Sequence, residues 1–394
     1  MLAQHELEIQ YLDLPPNDMA RSWAVPHFKS KGEVNRAGEA LIENGASKTE
    51  RAEALSVINN WRGIHSYPLH IAKVNLKKRV VKIDEDAVCV QRLKRLPSIT
   101  LKLKRNKNMT LTQMQDIGGC RAILPTMFDV RALIEVYEKA IAKNPPKKDK
   151  PMVRSELVER YPYIDKPKSD GYRSHHYVFK YRSTAADKQC YDGLRVEIQI
   201  RTKLQHAWAT AVEAISTFTE QALKSGIGDA RWKRFFALVG TAIALREGCP
   251  PVPDTPTDPT ELKTAIRELF NELQVEMVLF GITATVQLVG TETGAQVYLL
   301  VLDADKKFLE VKPFKAAELV KASEEYLLVE EKYADNPKVQ AVLVSADSLV
   351  ALESGYPNYY LDTTAFLEAV RLAIADEKTG EENAKDARET TKVR

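Results

Sequence analysis

Cysteine is scarce in this chain: four residues in 394, Cys89, Cys120, Cys190 and Cys249, with no CxxC pair among them. That spacing supports neither a disulfide framework nor a zinc site, and it suits a reducing cytoplasm. Long apolar runs are missing too. No stretch approaches the roughly 18 residues that a membrane helix needs, and the opening MLAQHELEIQ lacks the basic-then-apolar order of a signal peptide. Neither sign of charge dominates: 57 Lys and Arg against 54 Asp and Glu leave a net +3, so no global field demands nucleic acid. Phosphate and nucleotide signatures are absent as well. There is no GxxxxGK[ST], no GxGxxG opening a helix and no His-Asp dipeptide. Their absence excludes a P-loop enzyme and a dinucleotide fingerprint, and it argues against a His-Asp metal-dependent phosphohydrolase.

What is present is an ordinary globular composition, 44% hydrophobic and 28% charged, in a chain long enough for two or three cores. Basic residues cluster locally. Twelve Lys and Arg face three Asp and Glu between Lys73 and Lys107, and Lys147, Lys148 and Lys150 form a second group. Such runs suit a polyanion, and they equally suit a solvated helix face.

Residues 1–32 read as a loosely structured lead-in broken by Pro15, Pro16 and Pro26. Helical patterns follow over 33–44 and 49–81, the second N-capped at Ser47 or Thr49 and bent or split by Pro68. Beyond Pro97 short strands (120–124, 172–181, 194–200) alternate with helices (129–143, 203–223, 229–247), an α/β pattern. Residues 248–260 hold five prolines and read as a linker. A smaller α/β domain is expected over 261–376, with strands in LFGITATVQLVG, QVYLLVLDA and VQAVLVSA, and a polar, disordered tail over 377–394.

Three segments could carry chemistry. In LRVEIQIRT, alternation turns Val196, Ile198 and Ile200 to a core and Arg195, Glu197, Gln199 and Arg201 to the other face. In DIGGCRAIL, Asp116 precedes a Gly118-Gly119 turn and Arg121 heads a strand. QRLKRLPSITLKLKR supplies Arg92, Lys94 and Lys102. Each has an ordinary reading as exposed surface. Together they ask for one ligand: Asp116 and Glu197 as hard oxygen donors for Mg²⁺, cations including Lys168 for phosphates, and Tyr172 as a stacking ring, with His176 four residues on. That is a parts list for phosphoryl-type transfer.

In order, the motifs read Arg92-Leu-Lys94…Ser98-Ile99…Lys102, Asp116-Ile-Gly-Gly-Cys-Arg121, Lys166-Pro-Lys168-Ser-Asp-Gly171-Tyr172-Arg-Ser174-His-His176 and Glu197-Ile-Gln199-Ile-Arg201-Thr202. This series closely resembles the synthetase domain of RelA/SpoT-type alarmone synthetases, over roughly residues 50–225. The resemblance implies a nucleotidyltransferase-like mixed sheet flanked by helices within 33–247, and transfer of the β,γ-pyrophosphate of ATP to a 3′-hydroxyl. It implies Arg92 and Arg121 on the adenine, Lys94 and Lys102 on the ATP phosphates, and Asp116 and Glu197 on Mg²⁺, Glu197 also helping to deprotonate the acceptor. Tyr172 would stack on the acceptor base, with Lys168, His176 and His206 close by.

The residues ahead of Arg92 leave no room for the hydrolase domain of the long members. The layout is similar to the fused toxin–antitoxin, CapRel-like branch, whose zinc-free pseudo-zinc-finger places a YxxY motif in the adenine site. Here Tyr356 and Tyr359 fit that pattern, and equally fit aromatic packing within their own domain. That likeness implies the 3′-CCA end of tRNA as acceptor, autoinhibition, and a phage protein as trigger of a cytoplasmic, bacterial or prophage-encoded defence protein. The alternatives are a (p)ppGpp synthetase acting on GDP or GTP, and an inactive nucleotide or RNA sensor.

Overall fold

The computed structural model describes residues 23–43, 47–143, 155–223, 229–280, 285–288, 295–303, 305–333, 336, 338–346, 348–356 and 363–375. The first layer is helical: α1 (Lys31–Ile42), α2 (Lys48–Ile64) and α3 (Ser66–Val80). Ser47 starts α2 with a reciprocal capping box, its hydroxyl accepting from Glu50 N and Glu50 accepting from Ser47 N. The long pattern divides at His65, and Pro68 falls in the first turn of α3, where a missing N–H costs no helical bond.

Next come β1 (Val88–Leu93), α4 (Leu96–Arg105), β2 (Gly118–Leu124), α5 (Met127–Lys143), β3 (Ser155–Pro162), β4 (His175–Tyr181) and β5 (Arg195–Thr202). They are followed by α6 (Lys203–Leu223), α7 (Asp229–Arg246), α8 (Pro259–Glu272), α9 (Val275–Phe280), β6 (Thr285–Leu288), β7 (Val297–Asp303) and β8 (Phe308–Phe314). Last are α10 (Leu319–Lys332), β9 (Val339–Ser345), α11 (Leu349–Gly355) and α12 (Thr364–Ile374).

Among the described residues, nine strands form one mixed sheet, ordered β3-β4-β5-β2-β1-β9-β7-β8-β6. The β2–β5 and β6–β8 pairs are parallel and the others antiparallel. The mixed α/β layer is therefore as expected. The C-terminal segment extends the same sheet: β9 joins β1 through Gln91–Ser345 and Arg92–Val344. One core crosses between the two parts, Trp208, Phe235 and Phe236 packing with Leu262, Leu300, Leu352 and Phe366. On the opposite face α3 and α5 cover Cys120, Val196, Ile198 and Ile200.

The proline-rich stretch is a packed strap. Cys249 and Val252 are buried, Val252 N donates to Thr241 Oγ1 (3.0 Å), and the Arg173 guanidinium donates to the Ile164 and Pro250 carbonyls. Gly118 and Gly119 are strand residues of β2, where a turn was expected. Three strands, β1, β3 and β8, went unexpected. Half of β3 is polar (Ser155, Glu156, Glu159 and Arg160), and in β1 Arg92 sits within a run that reads as basic surface. In the expected strand LFGITATVQLVG, Leu279 and Phe280 end α9, and only Thr285–Leu288 is strand among the described residues.

Candidate active site

Two cross-strand rows build the site. Arg92 of β1 pairs with Gly119 of β2, which pairs with Glu197 of β5. One step along lie Val90, Arg121, Gln199 and, on β4, His176. Side chains two apart on a strand share a face, so these rows place Arg92, Glu197, Arg121, Gln199 and His176 together. Gly119 is the floor. A Cβ built there meets nothing within 4 Å, whereas one on Gly118, facing the other way, would stand 3.4 Å from Leu69 Cβ. Each glycine serves one face: Gly118 lets α3 approach, and Gly119 leaves the cavity open.

The cavity is lined by Arg92, Lys94, Asp116, Arg121, Glu197 and Gln199, together with Tyr356 from the end of α11. The two acids expected to act together do share it. Asp116 is gripped on both oxygens, by Lys94 Nζ at 2.7 Å and by Lys102 Nζ at 2.8 Å. Burial works to raise its pKa, but the two ammonium groups outweigh it and hold the carboxyl at about 2. Burial pushes Lys94 down, helped by Arg92 and Lys102 and opposed by Asp116. Glu197 accepts from His176 Nδ1 at 2.9 Å and from Gln199 Nε2 at 2.7 Å. Its burial also favours the neutral acid, yet the His176 contact and the Gln199 bond keep the pKa below the ordinary carboxylate value. Both acids are thus ionised at neutral pH.

A divalent cation fits this pair. Mg²⁺ prefers few protein carboxylates and completes its shell with substrate phosphates and water, and two ionised acids on one cavity are such a set. Among the described residues, no cluster of three or more His, Cys, Asp or Glu offers an all-protein cage.

Beside the cavity lies an aromatic platform. Tyr172 OH and His176 Nε2 are 2.9 Å apart, which continues a chain of hydrogen bonds from Tyr172 through His176 to Glu197. With Nδ1–H donated to the carboxylate, Nε2 accepts the phenol proton. Lys168 Nζ stands 5.2 Å from the Tyr172 ring centre and 4.5 Å from that of Tyr163. Tyr163 was not foreseen. It meets His176 edge-on at 5.4 Å and stacks on Tyr161 at 5.6 Å. The run YPYIDKPK, which ends on Lys168, was the signal for it. Gln199 was legible in the strand alternation but had no role assigned.

His206 does not line this cavity. It is buried, takes a hydrogen bond from Arg201 on Nδ1, and donates through Nε2 to Ser354 O of α11 (3.0 Å), so it faces the C-terminal segment. Burial first, and then the Arg201 and Arg121 charges, hold its pKa well below the ordinary value. Arg121 Nη1 donates to Gly355 O at 3.4 Å, and its Nε donates to Gln199 Oε1 at 3.1 Å. Tyr356 is buried against the same space, which amounts to about 30 Å³. That is room for a water or two, too little for a purine. Tyr359 lies outside the described residues.

Several solved structures resemble this chain. Small alarmone synthetase 1 from Bacillus subtilis, bound to its product pppGpp, is 23% identical over 54% of this chain and 92% of its own, with a TM-score of 0.31. Small alarmone synthetase 2 from the same organism is 21% identical over 56% and 96%, and a GTP pyrophosphokinase family protein from Streptococcus pneumoniae is 21% identical over 53% and 85%, both at TM-score 0.31. None of the curated proteins matches. No helix among the described residues is long and apolar enough to cross a membrane. The family model described as the region found in RelA / SpoT proteins matches residues 91–222, the stretch that supplies Arg92, Lys94, Lys102, Asp116, Arg121, Tyr172, His176 and Glu197, so the site just described lies within the matched stretch.

Proposed function

We propose that this chain is a pyrophosphokinase that moves the β,γ-pyrophosphate of ATP to the 3′-hydroxyl of an acceptor nucleotide. The observation that carries this reading is the convergence of Asp116 and Glu197 on one cavity with Arg92, Lys94 and Arg121, inside a RelA/SpoT region. Asp116 and Glu197 would hold magnesium, which would supply charge neutralisation for the phosphoryl transfer. Lys94 and Lys102 now neutralise Asp116; with a triphosphate present they turn to its oxygens, as point charges do. Arg92 and Arg121 stack on the adenine. Tyr172 and Lys168 hold the acceptor base and phosphate. Glu197, oriented by His176 and Gln199, accepts the 3′-hydroxyl proton. The new bond joins the 3′ oxygen to the β-phosphorus, the bond from that phosphorus to the α,β-bridging oxygen breaks, and AMP leaves.

On this reading the acceptor is the 3′-CCA end of tRNA, and Tyr356 keeps the enzyme silent by filling the adenine position until a trigger, such as a phage protein, displaces it. The closed cavity and the Arg121–Gly355 bond support the inhibitory part. A second acceptor, GDP or GTP, is favoured by the pppGpp-bound resemblance named above. Tyr356→Ala protein incubated with γ-³²P-ATP, Mg²⁺, tRNA and GDP together separates the two. Label in tRNA is the expected result. Label in guanine nucleotide alone would replace the acceptor, and unaltered labelling by Asp116→Ala or Glu197→Ala would remove the metal assignment. ATP binding without turnover would leave the sensor reading.

A further inference from the structure

The larger cavity is elsewhere. About 300 Å³ of space opens where the start of β5 and the end of β4 meet the C-terminal turn of α2, and it shares no lining residue with the Asp116/Glu197 cavity. Its wall holds four cations, Lys31, Lys180, Arg182 and Arg195, and one acid, Asp192. Glu156 approaches Lys180 and Arg182 at 3.6 and 3.3 Å, so it offsets part of that charge, and the surround stays net positive. Asp192 is already engaged, accepting from Ser183 N at 2.8 Å. Arg195 spends one N–H on the Gln113 carbonyl at 3.1 Å.

A second observation is independent of the charge. Trp61 lines this cavity, is 4% exposed, and its indole Nε1–H has no acceptor among the described residues. A buried, unpaired N–H is destabilising, and such groups in native proteins ordinarily have a partner. The wall therefore offers donors and cations with few acceptors of its own. A ligand rich in acceptors satisfies both.

We propose that this cavity binds a polyphosphate chain, at a site separate from the Asp116/Glu197 cavity. Four long cationic side chains around one opening suit several phosphoryl groups, since Arg forks onto phosphate and Lys follows as a mobile charge. The Trp61 N–H gives the otherwise mobile rim a fixed, buried donor. The chain of phosphates comes either from a nucleoside polyphosphate or from inorganic polyphosphate. The inference stands apart from the proposed pyrophosphate transfer and needs no turnover.

The test uses the full-length protein, ¹⁵N-labelled at tryptophan indoles, with the Trp61 resonance assigned by its loss in Trp61→Phe. Inorganic tripolyphosphate is titrated at about 0.15 M salt, where loose surface charge is largely screened. The Trp61 indole resonance is expected to shift saturably. Arg182→Ala with Arg195→Ala should weaken that binding at least about tenfold, the loss expected for charge-assisted bonds. Should the double variant not fold, Lys180→Gln and Arg182→Gln on the exposed rim replace it. Lys94→Ala with Lys102→Ala should leave the titration unchanged. An unmoved Trp61 resonance, a shift indifferent to the rim cations, or one abolished by the Lys94/Lys102 change would each overturn the proposal. The same titration with ATP and GTP identifies the source: tighter binding than tripolyphosphate supports a nucleotide, and equal binding supports the phosphate chain alone.

Discussion

At α10 the C-terminal segment meets the N-terminal helices through buried charge; at α11 it meets the candidate site through backbone carbonyls. Arg62 of α2, 2% exposed, donates to Glu330 Oε2 at 2.8 Å, to the Tyr326 hydroxyl, and through Nε to Lys94 O at 3.0 Å. Glu330 Oε1 also accepts from Leu96 N, the first residue of a helix with no side-chain N-cap of its own. So α10 fixes the Lys94–Leu96 corner, from which Lys94 and α4 with Lys102 reach Asp116. The α11 joint is neutral on its own side. It offers the Ser354 and Gly355 carbonyls to His206 and Arg121, and it seats Gly355 against Val90. Water or a ligand can replace a carbonyl at little cost, whereas a buried charge that loses its partner cannot be left bare. One joint is built to stay and the other to let go.

The strongest way to break this contrast is at Glu330. Glu330→Ala strands the Arg62 charge and is expected to cost about 3–5 kcal/mol in urea unfolding. Replacing all three residues, Arg62→Met, Tyr326→Phe and Glu330→Leu, should recover most of that loss. A cost of the single change below about 1 kcal/mol would show the joint to be solvated.

Gly355→Ala attacks the other joint. Its Cβ would stand 2.3 Å from Val90 Cγ1, so α11 must shift. The expected cost is smaller, about 1–3 kcal/mol. It should be accompanied by tighter ATP binding in calorimetry, because Tyr356 leaves with the helix. Lost stability with unchanged ATP affinity would separate Tyr356 from the closure.

The smallest effect is on pH. His206 has its pKa depressed, so the docked joint binds no proton there while an undocked imidazole, with an ordinary value of 6.5, does. The joint is therefore fully stable above about pH 6.5 and loses about 1 kcal/mol for the first unit below it. Amide exchange, corrected for intrinsic rate, should rise in α11 between pH 7 and 5.5 and stay level in α10. Equal responses would erase the distinction.

Much of this was legible in the order of residues. The alternation in LRVEIQI gave β5 its two faces, and Ser47 with Glu50 marked the start of α2. The spacing of Asp116 and Glu197 made sense once Glu197 was placed on β5 and Asp116 two residues ahead of β2, its parallel neighbour in the sheet. What the sequence hid was long-range. Gly118-Gly119 reads as a turn because glycine is the usual turn residue, and only the sheet shows one of them making room for α3 and the other for the cavity. Five prolines signal a linker, yet Thr241 and Arg173, distant in sequence, tie the strap down. The partnership of Arg62 with Glu330 spans 268 positions and leaves no local trace.

The seat of β9 has a practical consequence. It covers the outer hydrogen-bonding side of β1 at Gln91 and Arg92, and α11 with its neighbours roofs Val90. A chain cut at the strap would therefore be no liberated enzyme. It would carry an open strand border and a bare apolar floor beside Lys94 and Lys102, the kind of surface that recruits other copies into precipitates. On the autoinhibited reading proposed above, release comes from loosening α11 in place, with the rest of the segment kept as scaffold.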